Sequence, residues 1–280
     1  MSTKISIITV NYNDNSGLQK TIKSVLNQSL RNFEFIIIDG NSNDGSKEFL
    51  QQNTDQSIRW VSEPDRGIYH AMNKGIKMAT GQYLLFLNSG DILFDNEVIK
   101  QVDIKIDGTY GIYYGDIIFA EHKQQKKVVF PDTLSFTFFF KQSLSHQASF
   151  IKKTLFDEIF PYNEDFKIVS DWEFFIYAIC KKNVSYKHLN ILTTIYDGNG
   201  ISSNSDNLKL MYQERKISLL KHFPAFIADY TQIAELEHKR VKQFFYIKEH
   251  PVAWKVLKAF IKLILLFIPK KHFTKPQNPD

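Results

Sequence analysis

The sequence predicts an α/β fold: a mostly parallel, Rossmann-like β-sheet with helices on both faces, followed by a C-terminal helical extension. Through residues 5–87, short β-branched apolar runs alternate with stretches of helical periodicity. That alternation is typical of parallel sheets whose strands are joined by helices. From Leu208 onward only helical patterns remain. We therefore expect two domains, a sheet domain over residues 1–205 and a helical extension over residues 206–280.

The first part of the chain contains four predicted strands and three predicted helices. Each strand is a run of apolar residues that stops at a polar residue, and each helix repeats apolar residues every three or four positions. In chain order these elements are Ile5–Val10, Leu18–Leu30, Phe33–Ile38, Ser46–Gln52, Ile58–Val61, Ile68–Ala79 and Tyr83–Leu87. Ligands of such sheets bind beyond the carboxyl ends of the strands, so the polar residues that follow the strands are the first site candidates.

The pattern is less regular in the second half of the chain. Tyr110–Phe119 predicts a strand pair or one long strand, and Val184–Ile195 predicts one or two strands. Leu134–Phe140 is aromatic-rich and ambiguous. The remaining predicted elements are a short strand at Ser149–Ile151, a helix at Ser170–Lys182 and a flexible loop at Tyr196–Asn207.

Composition excludes several classes of protein. Apolar residues make up 43% and charged residues 23% of the 280 residues, which is ordinary globular usage and argues against a disordered or fibrous chain. The single cysteine, Cys180, excludes an intramolecular disulfide and indicates a reducing compartment. We find neither a signal-peptide pattern at the N-terminus nor an uncharged apolar run of 18 residues, so we expect a cytoplasmic protein without a membrane-spanning helix.

Positive charge is concentrated at the C-terminus. Residues 238–280 hold ten basic and two acidic residues, a net charge of +8, which leaves −3 for residues 1–237. Within Val252–Ile268, Lys255, Lys258 and Lys262 share one helical face and apolar residues cover the others. This pattern predicts a helix lying on an anionic membrane surface. A helix packed on the domain or a dimer contact is the alternative.

Carboxylates and polar groups at strand ends carry the candidate chemistry. Asp39 follows the second strand, where it can bind a nucleotide's base or ribose or initiate a turn. Asp91 ends the segment Asn88-Ser89-Gly90-Asp91 after the fourth strand, where it can hold a divalent cation or cap a helix.

Two further candidates lie in the second half of the chain. Ser170 and Glu173 have the spacing of a capping box, which leaves Asp171 as an acidic residue at a helix start, where a general base can be presented. His146 lies between apolar stretches, and a structural and a catalytic role are both open.

Four blocks in order, ISIITVNYN, IIIDGNSNDGS, SEPDRGIYHAMNKGI and GQYLLFLNSGD, resemble the family 2 glycosyltransferases with the GT-A fold. The resemblance covers about residues 4–205 and is strongest to the colanic-acid type of bacterial polysaccharide-biosynthesis enzymes. It implies an inverting transferase that moves a sugar from a nucleotide-diphosphate sugar to a hydroxyl of a glycan or lipid-linked acceptor.

The resemblance also implies roles for particular residues. The nucleotide-sugar donor, by resemblance a UDP-sugar, would be held by Thr9, Asn11, Tyr12, Asp39, Asp65, Arg66 and Asn88. Asp91 would bind Mg²⁺ or Mn²⁺, although the family's acidic motif is reduced here to one carboxylate. Asp171 matches the catalytic base, with Ser170 where many members have a second acid. His146 matches a recurrent histidine and is a candidate for the acceptor or donor site.

The expected partners are therefore the donor, the acceptor and the anionic inner face of the plasma membrane, without nucleic acid. Three alternatives are weaker. A catalytically weak, membrane-associated scaffold of the same fold would not need Asp39, Asp91 and Asp171 together. A sugar-1-phosphate nucleotidylyltransferase should show a Gly-rich, Arg-containing loop after the first strand, and the sequence has Asn-Tyr-Asn-Asp-Asn-Ser there. Nucleic-acid binding would rest on the basic tail alone.

Overall fold

A computed structural model describes residues 4–53, 55–121, 124–198, 200, 205–236 and 238–268 of the chain. Two compact units are present, Met1–His222 and Phe223–Asp280. The first unit holds the β-sheet and the second holds helices. The proposed division after residue 205 differs from this packing boundary, because helix Leu208–His222 belongs to the first compact unit.

The first half of the sheet alternates strands and helices as the periodicity predicts. Strands β1, β2, β3 and β4 pair in parallel, in the order β3-β2-β1-β4. The elements are β1 (Ile5–Asn11), α1 (Asn15–Leu26), β2 (Phe33–Asp39), α2 (Ser46–Gln52), β3 (Ile58–Ser62), α3 (Ile68–Met78) and β4 (Tyr83–Phe86). The predicted α/β class is confirmed. Helix α1 ends four residues earlier than its apolar pattern predicts, at Leu26 rather than Leu30.

The second half of the sheet is mixed. The strand order continues as β4-β8-β6-β9-β5, with β7 paired to β6, and only the β6–β9 pair is parallel within this described half. Its elements are β5 (Ile92–Leu93), α4 (Val98–Lys105), β6 (Ile112–Glu121), β7 (Gln124–Val128), α5 (Phe136–Lys141), β8 (Ser149–Lys152), α6 (Leu155–Glu158), α7 (Ser170–Cys180), β9 (Tyr186–Asp197) and α8 (Leu208–His222).

Several ambiguous segments are resolved by this topology. The aromatic-rich segment forms α5, and the apolar run after Val184 forms the single strand β9. That strand extends to Asp197, so Tyr196 and Asp197 belong to the sheet rather than to the predicted loop. Residues 199 and 201–204 of that loop lie outside the described residues.

Strand register brings the polar strand ends together. Asn11 pairs with Asp39 at the end of β1 and β2, and Asp39 pairs with Ser62 at the end of β3. β1 and most of β2 are buried apolar runs, so the polar residues at their ends mark the point where the sheet reaches its carboxyl edge. The three neighbouring ends form one continuous polar edge.

The start of α7 differs from the predicted capping box. Val169 occupies the cap position, and Ser170 is already helical with its hydroxyl accepting a hydrogen bond from the Asn163 amide. Glu173 is buried and pairs with His222 Nε2 at 3.0 Å. Helix α7 is buried on nearly every side, so its polar residues bond to neighbouring segments instead of to their own helix end.

Glu214 of α8 supports the loop that leads into α7. Its Oε1 accepts from the Lys167 amide at 2.8 Å and its Oε2 accepts from the Ile168 amide at 3.0 Å. The carboxylate is buried, so no water can easily replace it. It therefore fixes the backbone three residues before Asp171.

We expect Glu214→Ala to lower the free energy of unfolding by about 2 kcal/mol, because it leaves two amides without their acceptor. Urea unfolding measures this change. Lys216→Ala, at an exposed position of the same helix, is the matched control and should change stability little. Equal stabilities of the two variants would show that Glu214 does not hold the loop.

The second unit is helical over its described residues. It contains α9 (Ile227–Leu236), α10 (Lys239–Lys248) and α11 (Pro251–Leu265). Phe244 of α10 packs edge-on against Trp254 of α11, with ring centroids 5.3 Å apart. Within the described part of the chain, no helix combines the length and apolarity that crossing a bilayer requires.

Candidate active site

The carboxyl edge of the parallel strands is organised around Asp39. Asn11 Nδ2 donates to Asp39 Oδ1 at 2.8 Å, the Ser42 hydroxyl donates to the same oxygen at 2.6 Å, and the Ser62 hydroxyl donates to Oδ2 at 2.7 Å. The Ser42 amide adds a fourth bond at 3.0 Å. Burial alone would raise the pKa of Asp39, but these hydrogen bonds outweigh it and hold the pKa below its usual value.

Asp39 is therefore ionised and fully buried, with both oxygens bonded to protein groups. The hydrogen bonds to Asp39 join the ends of β1, β2 and β3 and the turn after β2 into a rigid edge. Asn11 extends this edge toward β4, because its Oδ1 accepts from the Ser89 hydroxyl at 2.8 Å. A direct contact of Asp39 with a nucleotide stays a prediction.

Thr9 is buried inside the sheet. Its hydroxyl donates to the Leu87 carbonyl at 2.7 Å, which joins β1 to the segment after β4. The structure thus gives Thr9 a role within the sheet, and its predicted contact with the donor remains untested.

Tyr12 and Asp65 lie on either side of Gly40 at the same edge. Tyr12 is 70% exposed. A Cβ at Gly40 would lie 3.0 Å from Tyr12 Cδ2 and 3.1 Å from Asp65 Oδ2, so any larger residue here would press on both side chains. Lys74 Nζ holds Asp65 Oδ1 at 2.6 Å. An exposed ring beside a fixed carboxylate can stack on a planar base and accept its hydrogen bonds.

Arg66 is paired with Glu164 and is 72% exposed at its side chain. Glu164 Oε1 also accepts from Asn73 Nδ2 at 3.0 Å, and the pKa of Glu164 is lowered, chiefly by that hydrogen bond. The structure therefore holds the Arg66 guanidinium at the rim of the site by a carboxylate from the loop before α7.

Asn88, His146, Asp171 and Tyr69 form one hydrogen-bonded chain. Asn88 Nδ2 lies 3.2 Å from His146 Nε2, His146 Nδ1 lies 2.8 Å from Asp171 Oδ2, and the Tyr69 hydroxyl donates to Asp171 Oδ1 at 2.9 Å. Burial raises the pKa of Asp171, but the bonds from His146 and Tyr69 outweigh it, so the net shift is downward. The structure thus joins three of the predicted site residues, Asn88, His146 and Asp171.

Asp91 lies immediately before β5, with only 3% of its surface exposed. Its Oδ1 accepts from the Asp197 amide at 2.9 Å. Burial raises the pKa of Asp91 to about 7, and the nearby Asp197 carboxylate pushes in the same direction. Ionising this carboxyl is costly unless positive charge arrives.

The oxygen ligands available around Asp91 fit a hard divalent cation that takes its other ligands from a diphosphate. Asp91 and Asp197 would hold the ion. The Oδ1 atom of Asn88 is a buried oxygen without a hydrogen-bond partner, which is a further group suited to a cation or a ligand. No cluster of three His, Cys, Asp or Glu side chains suited to a metal occurs among the described residues, so protein ligands alone form an incomplete site.

Sequence reasoning missed four residues of this region: Ser42, Tyr69, Asp197 and Arg215. Arg215 stacks on the Trp172 ring at 4.8 Å, and its Nε finds no hydrogen-bond partner. Burial lowers the pKa of Arg215, while attraction to Asp171 opposes that shift. Tyr69 stands inside the block SEPDRGIYHAMNKGI, which is a signal that could have identified it, whereas Arg215 lies in an ordinary helical pattern.

Fold and site together define an α/β enzyme with an acidic centre at the carboxyl edge of its sheet. The model of the family described as glycosyl transferase family 2 matches residues 6–159, more than half of the chain. The chain belongs to this family and is a glycosyltransferase, as its motifs predict.

Two relatives place the chain within the family. A PGL/p-HBAD biosynthesis glycosyltransferase of Mycobacterium bovis is 29% identical over 207 residues, which are 71% of this chain and 79% of the relative. An uncharacterized glycosyltransferase of Mycobacterium tuberculosis is 36% identical over 183 residues, which are 62% of this chain and 68% of the relative.

Solved structures share the fold at low sequence identity. S. aureus TarS 1-349 in complex with UDP-GlcNAc superposes with a TM-score of 0.62 and 17% identity over 79% of this chain and 67% of TarS. In the UDP complex of the same fragment, the chain spans only 60% of TarS. The mannosyltransferase PcManGT of Pyrobaculum calidifontis, in complex with GDP-Man and Mn²⁺, superposes with a TM-score of 0.56 and 13% identity over 95% of this chain and 81% of PcManGT.

Proposed function

We propose that this glycosyltransferase transfers a sugar, with inversion, from a UDP-sugar to a hydroxyl of a glycan or lipid-linked acceptor in the biosynthesis of bacterial surface polysaccharide. The observation that carries the proposal is the Asp171–His146 pair at 2.8 Å, placed beside the edge that Asp39 organises. One proton-accepting pair is sufficient for inversion, because a single displacement needs only one base. The UDP-GlcNAc complex of TarS supports a nucleotide-sugar donor.

In this proposal the donor's base and ribose bind at the edge where Tyr12 and Asp65 lie. The Tyr12 ring offers a stacking face, and Asp65, fixed by Lys74, offers acceptor oxygens. Asp39 and Asn11 act by holding the strand ends from which this edge is built. The diphosphate then extends toward Asn88 and Asp91, the residues after β4.

Transfer breaks the bond between the sugar C1 and the diphosphate oxygen while the acceptor oxygen forms a new bond to C1. The acceptor proton leaves toward the Asp171–His146 pair. Arg66, paired with Glu164, and Arg215, which is attracted to Asp171, are cations beside this site that can balance charge on the leaving diphosphate. Asp91 and Asp197 would hold Mg²⁺ or Mn²⁺, which when bound supplies positive charge beside the same diphosphate.

A donor panel tests the proposal. Purified protein is mixed with UDP-, GDP- and dTDP-sugars in the presence of Mn²⁺, and the released nucleoside diphosphate is quantified. We expect release from a UDP-sugar, and NMR of the product should show the anomeric configuration inverted. Absence of release from every donor, with correctly folded protein, would refute the proposed activity.

We also propose that the C-terminal helix α11 binds the anionic inner face of the plasma membrane. Lys255, Lys258 and Lys262 share one face of this helix. Large apolar side chains are exposed on the same described helix, namely Val252, Val256, Phe260, Leu263 and Ile264. Such a helix can lie at a membrane surface with lysines toward the headgroups. The predicted tail continues beyond Ile268 into residues outside the described part.

Charge reversal tests the membrane proposal. Lys255, Lys258 and Lys262 each contribute about 1 kcal/mol near an anionic surface, so their combined replacement by glutamate should weaken vesicle binding by more than about 10²-fold at low salt. Removing residues 250–280 should abolish binding and leave the sheet domain folded. Co-sedimentation with phosphatidylglycerol vesicles measures both effects.

The matched control is the variant Lys105/Lys126/Lys127→Glu, which carries the same charge change at exposed positions of the first unit. It should bind vesicles nearly as well as the wild type. If the wild-type protein stays in the supernatant at low salt, α11 is a packing or dimer helix and the membrane proposal is wrong.

A further inference from the structure

Arg215 of α8 is a half-buried cation without a hydrogen-bond acceptor at its Nε. That atom is buried, and none of the described residues accepts a hydrogen bond from it. Asp171 attracts the guanidinium, but the side-chain hydrogen bonds of the Asp171 oxygens come from His146 and Tyr69. Taking a cation partly out of water without an acceptor costs free energy, so this arrangement favours a ligand that supplies one.

The surroundings of Arg215 hold it in place. Its guanidinium carbon lies 4.8 Å from the centre of the Trp172 ring, which is buried and donates through Nε1 to the Phe139 carbonyl at 2.7 Å. The preceding residue, Glu214, anchors α8 to the loop before Asp171. The position of Arg215 beside the start of α7 is therefore fixed before any ligand binds.

The proposed chemistry decides which substrate Arg215 meets. In an inverting displacement the acceptor attacks C1 from the face opposite the leaving group, so the base lies on the acceptor's side of the sugar. Arg215 is attracted to Asp171, which belongs to the proposed proton-accepting pair, and it stacks on the residue that follows Asp171 in α7. It therefore lies on the side of the acceptor, and its charge acts on the diphosphate only at longer range.

Tyr212 provides an apolar surface beside Arg215. It precedes Arg215 by three positions in α8, a spacing that makes two side chains neighbours on a helix surface. The Tyr212 side chain is 64% exposed, although its ring is large and apolar. An exposed aromatic ring can cover the apolar face of a sugar while its hydroxyl stays in water. The two side chains thus offer a ring surface and a cation next to each other.

We propose that Tyr212 and Arg215 form an acceptor subsite for a sugar that carries an oxyanion, either the carboxylate of a uronic acid or a phosphate. This inference deepens the proposed function and rests on it. A guanidinium binds both groups through paired N–H donors, and the oxyanion supplies the acceptor that Arg215 lacks. Arg215 also compensates the negative charge of the acceptor, which lets the acceptor hydroxyl approach the ionised Asp171.

The experiment measures how strongly the full-length protein, loaded with UDP and Mn²⁺, prefers an anionic sugar. Three probes differ only at C6: methyl glucoside, methyl glucuronoside and methyl glucoside 6-phosphate, each also tested in its galactose form. Saturation-transfer NMR titration gives the affinities. We expect the wild type to bind the carboxylate or the phosphate probe about 10- to 100-fold more tightly than the neutral one, and the better anion identifies the source.

Arg215→Gln should reduce this preference to within about threefold of unity, because the amide keeps hydrogen-bonding capacity but loses the charge. The ratio of the affinities for anionic and neutral probes cancels any general effect of the substitution on the site. Tyr212→Ala should instead weaken the anionic and the neutral probes by a similar factor. Lys216→Gln is the matched control, because it removes one positive charge at the next, exposed position of α8 and should keep the wild-type ratio.

Equal affinities for anionic and neutral probes in the wild type, or no binding of any probe, would overturn the inference. So would an Arg215→Gln protein that keeps the wild-type ratio, and so would a wild type without anion preference in which that substitution lowers only UDP affinity, which would assign Arg215 to the diphosphate. If the glutamine variant does not fold, the ratio for Arg215→Lys decides, since lysine keeps the charge but loses the planar pair of donors and should show a smaller preference. A wild type that releases nucleoside diphosphate from no donor would instead refute the proposed function.

Discussion

Replacing Asp171 with asparagine is expected to lower turnover by about 10³-fold while the KM for the nucleotide sugar changes little. The carboxylate accepts hydrogen bonds from both His146 and Tyr69. An asparagine can accept only one of them with its oxygen, and its amide group must face the other partner. The amide also cannot take the acceptor's proton, so the Asp171–His146 pair loses the basic group that the proposed function requires. Tyr12 and Asp65, where the donor is proposed to bind, do not contact Asp171 through any of these bonds and should be unaffected.

Steady-state kinetics with the best panel donor, together with calorimetric titration of UDP, separate these effects. Asp165→Asn is the control, because Asp165 is an exposed carboxylate in the loop before α7. It should behave as wild type. Near-normal turnover of Asp171→Asn would remove Asp171 from the reaction, and equal losses of UDP affinity and turnover would assign it to donor binding.

Asp91→Asn is expected to lower turnover by about 10²-fold and to abolish the stabilisation that UDP and Mn²⁺ together give the wild type. In the absence of metal, the same variant should melt a few degrees higher at pH 8. Burial raises the pKa of Asp91 from 3.8 to about 7. Below about pH 4 such a carboxyl is protonated in both the folded and the unfolded chain, so its raised pKa does not change the free energy of unfolding. As the pH rises from about 4 to about 7, only the unfolded chain loses the proton, and the free energy of unfolding falls. Asparagine removes that ionisation cost.

Differential scanning fluorimetry at pH 4 and pH 8, with and without UDP and Mn²⁺, measures both outcomes. Asp95→Asn, an exposed change in the same segment, is the control. Wild-type turnover in excess EDTA would contradict the metal requirement. An Asp91→Asn protein that still gains stability from UDP only when Mn²⁺ is present would assign the metal to other residues.

The parallel half of the fold was predictable because its periodicity is strong. The runs ISIITV and FEFIII are short, rich in β-branched or aromatic residues and followed by polar residues, which favours strands, and their ends predict where polar groups meet. The mixed half was less predictable. The short strands β5 and β8 have little pattern of their own, and their pairing is decided by distant partners.

The sequence identified several residues of the candidate site, but it did not reveal the hydrogen bonds that join them. Asp39, Asp91, Asp171 and His146 stand out by position or by family motif. The bond between His146 and Asp171 joins residues 25 positions apart on different elements, so no local pattern reveals it. Ser170 and Glu173 have capping-box spacing, yet tertiary burial of α7 gives them other partners. Arg215 comes from α8, which lies after the residues that carry the family resemblance.

The support that α8 gives to the loop before Asp171 has a consequence for engineered chimeras. The family model ends at residue 159, but Asp171 and the Glu214 that anchors its loop both follow it. In a hybrid enzyme joined at residue 205, Asp171 and the Glu214 that holds its loop would come from different parents. A junction after His222 keeps Asp171 and Glu214 from one parent, so we expect hybrids joined there to fold better than hybrids joined at residue 205.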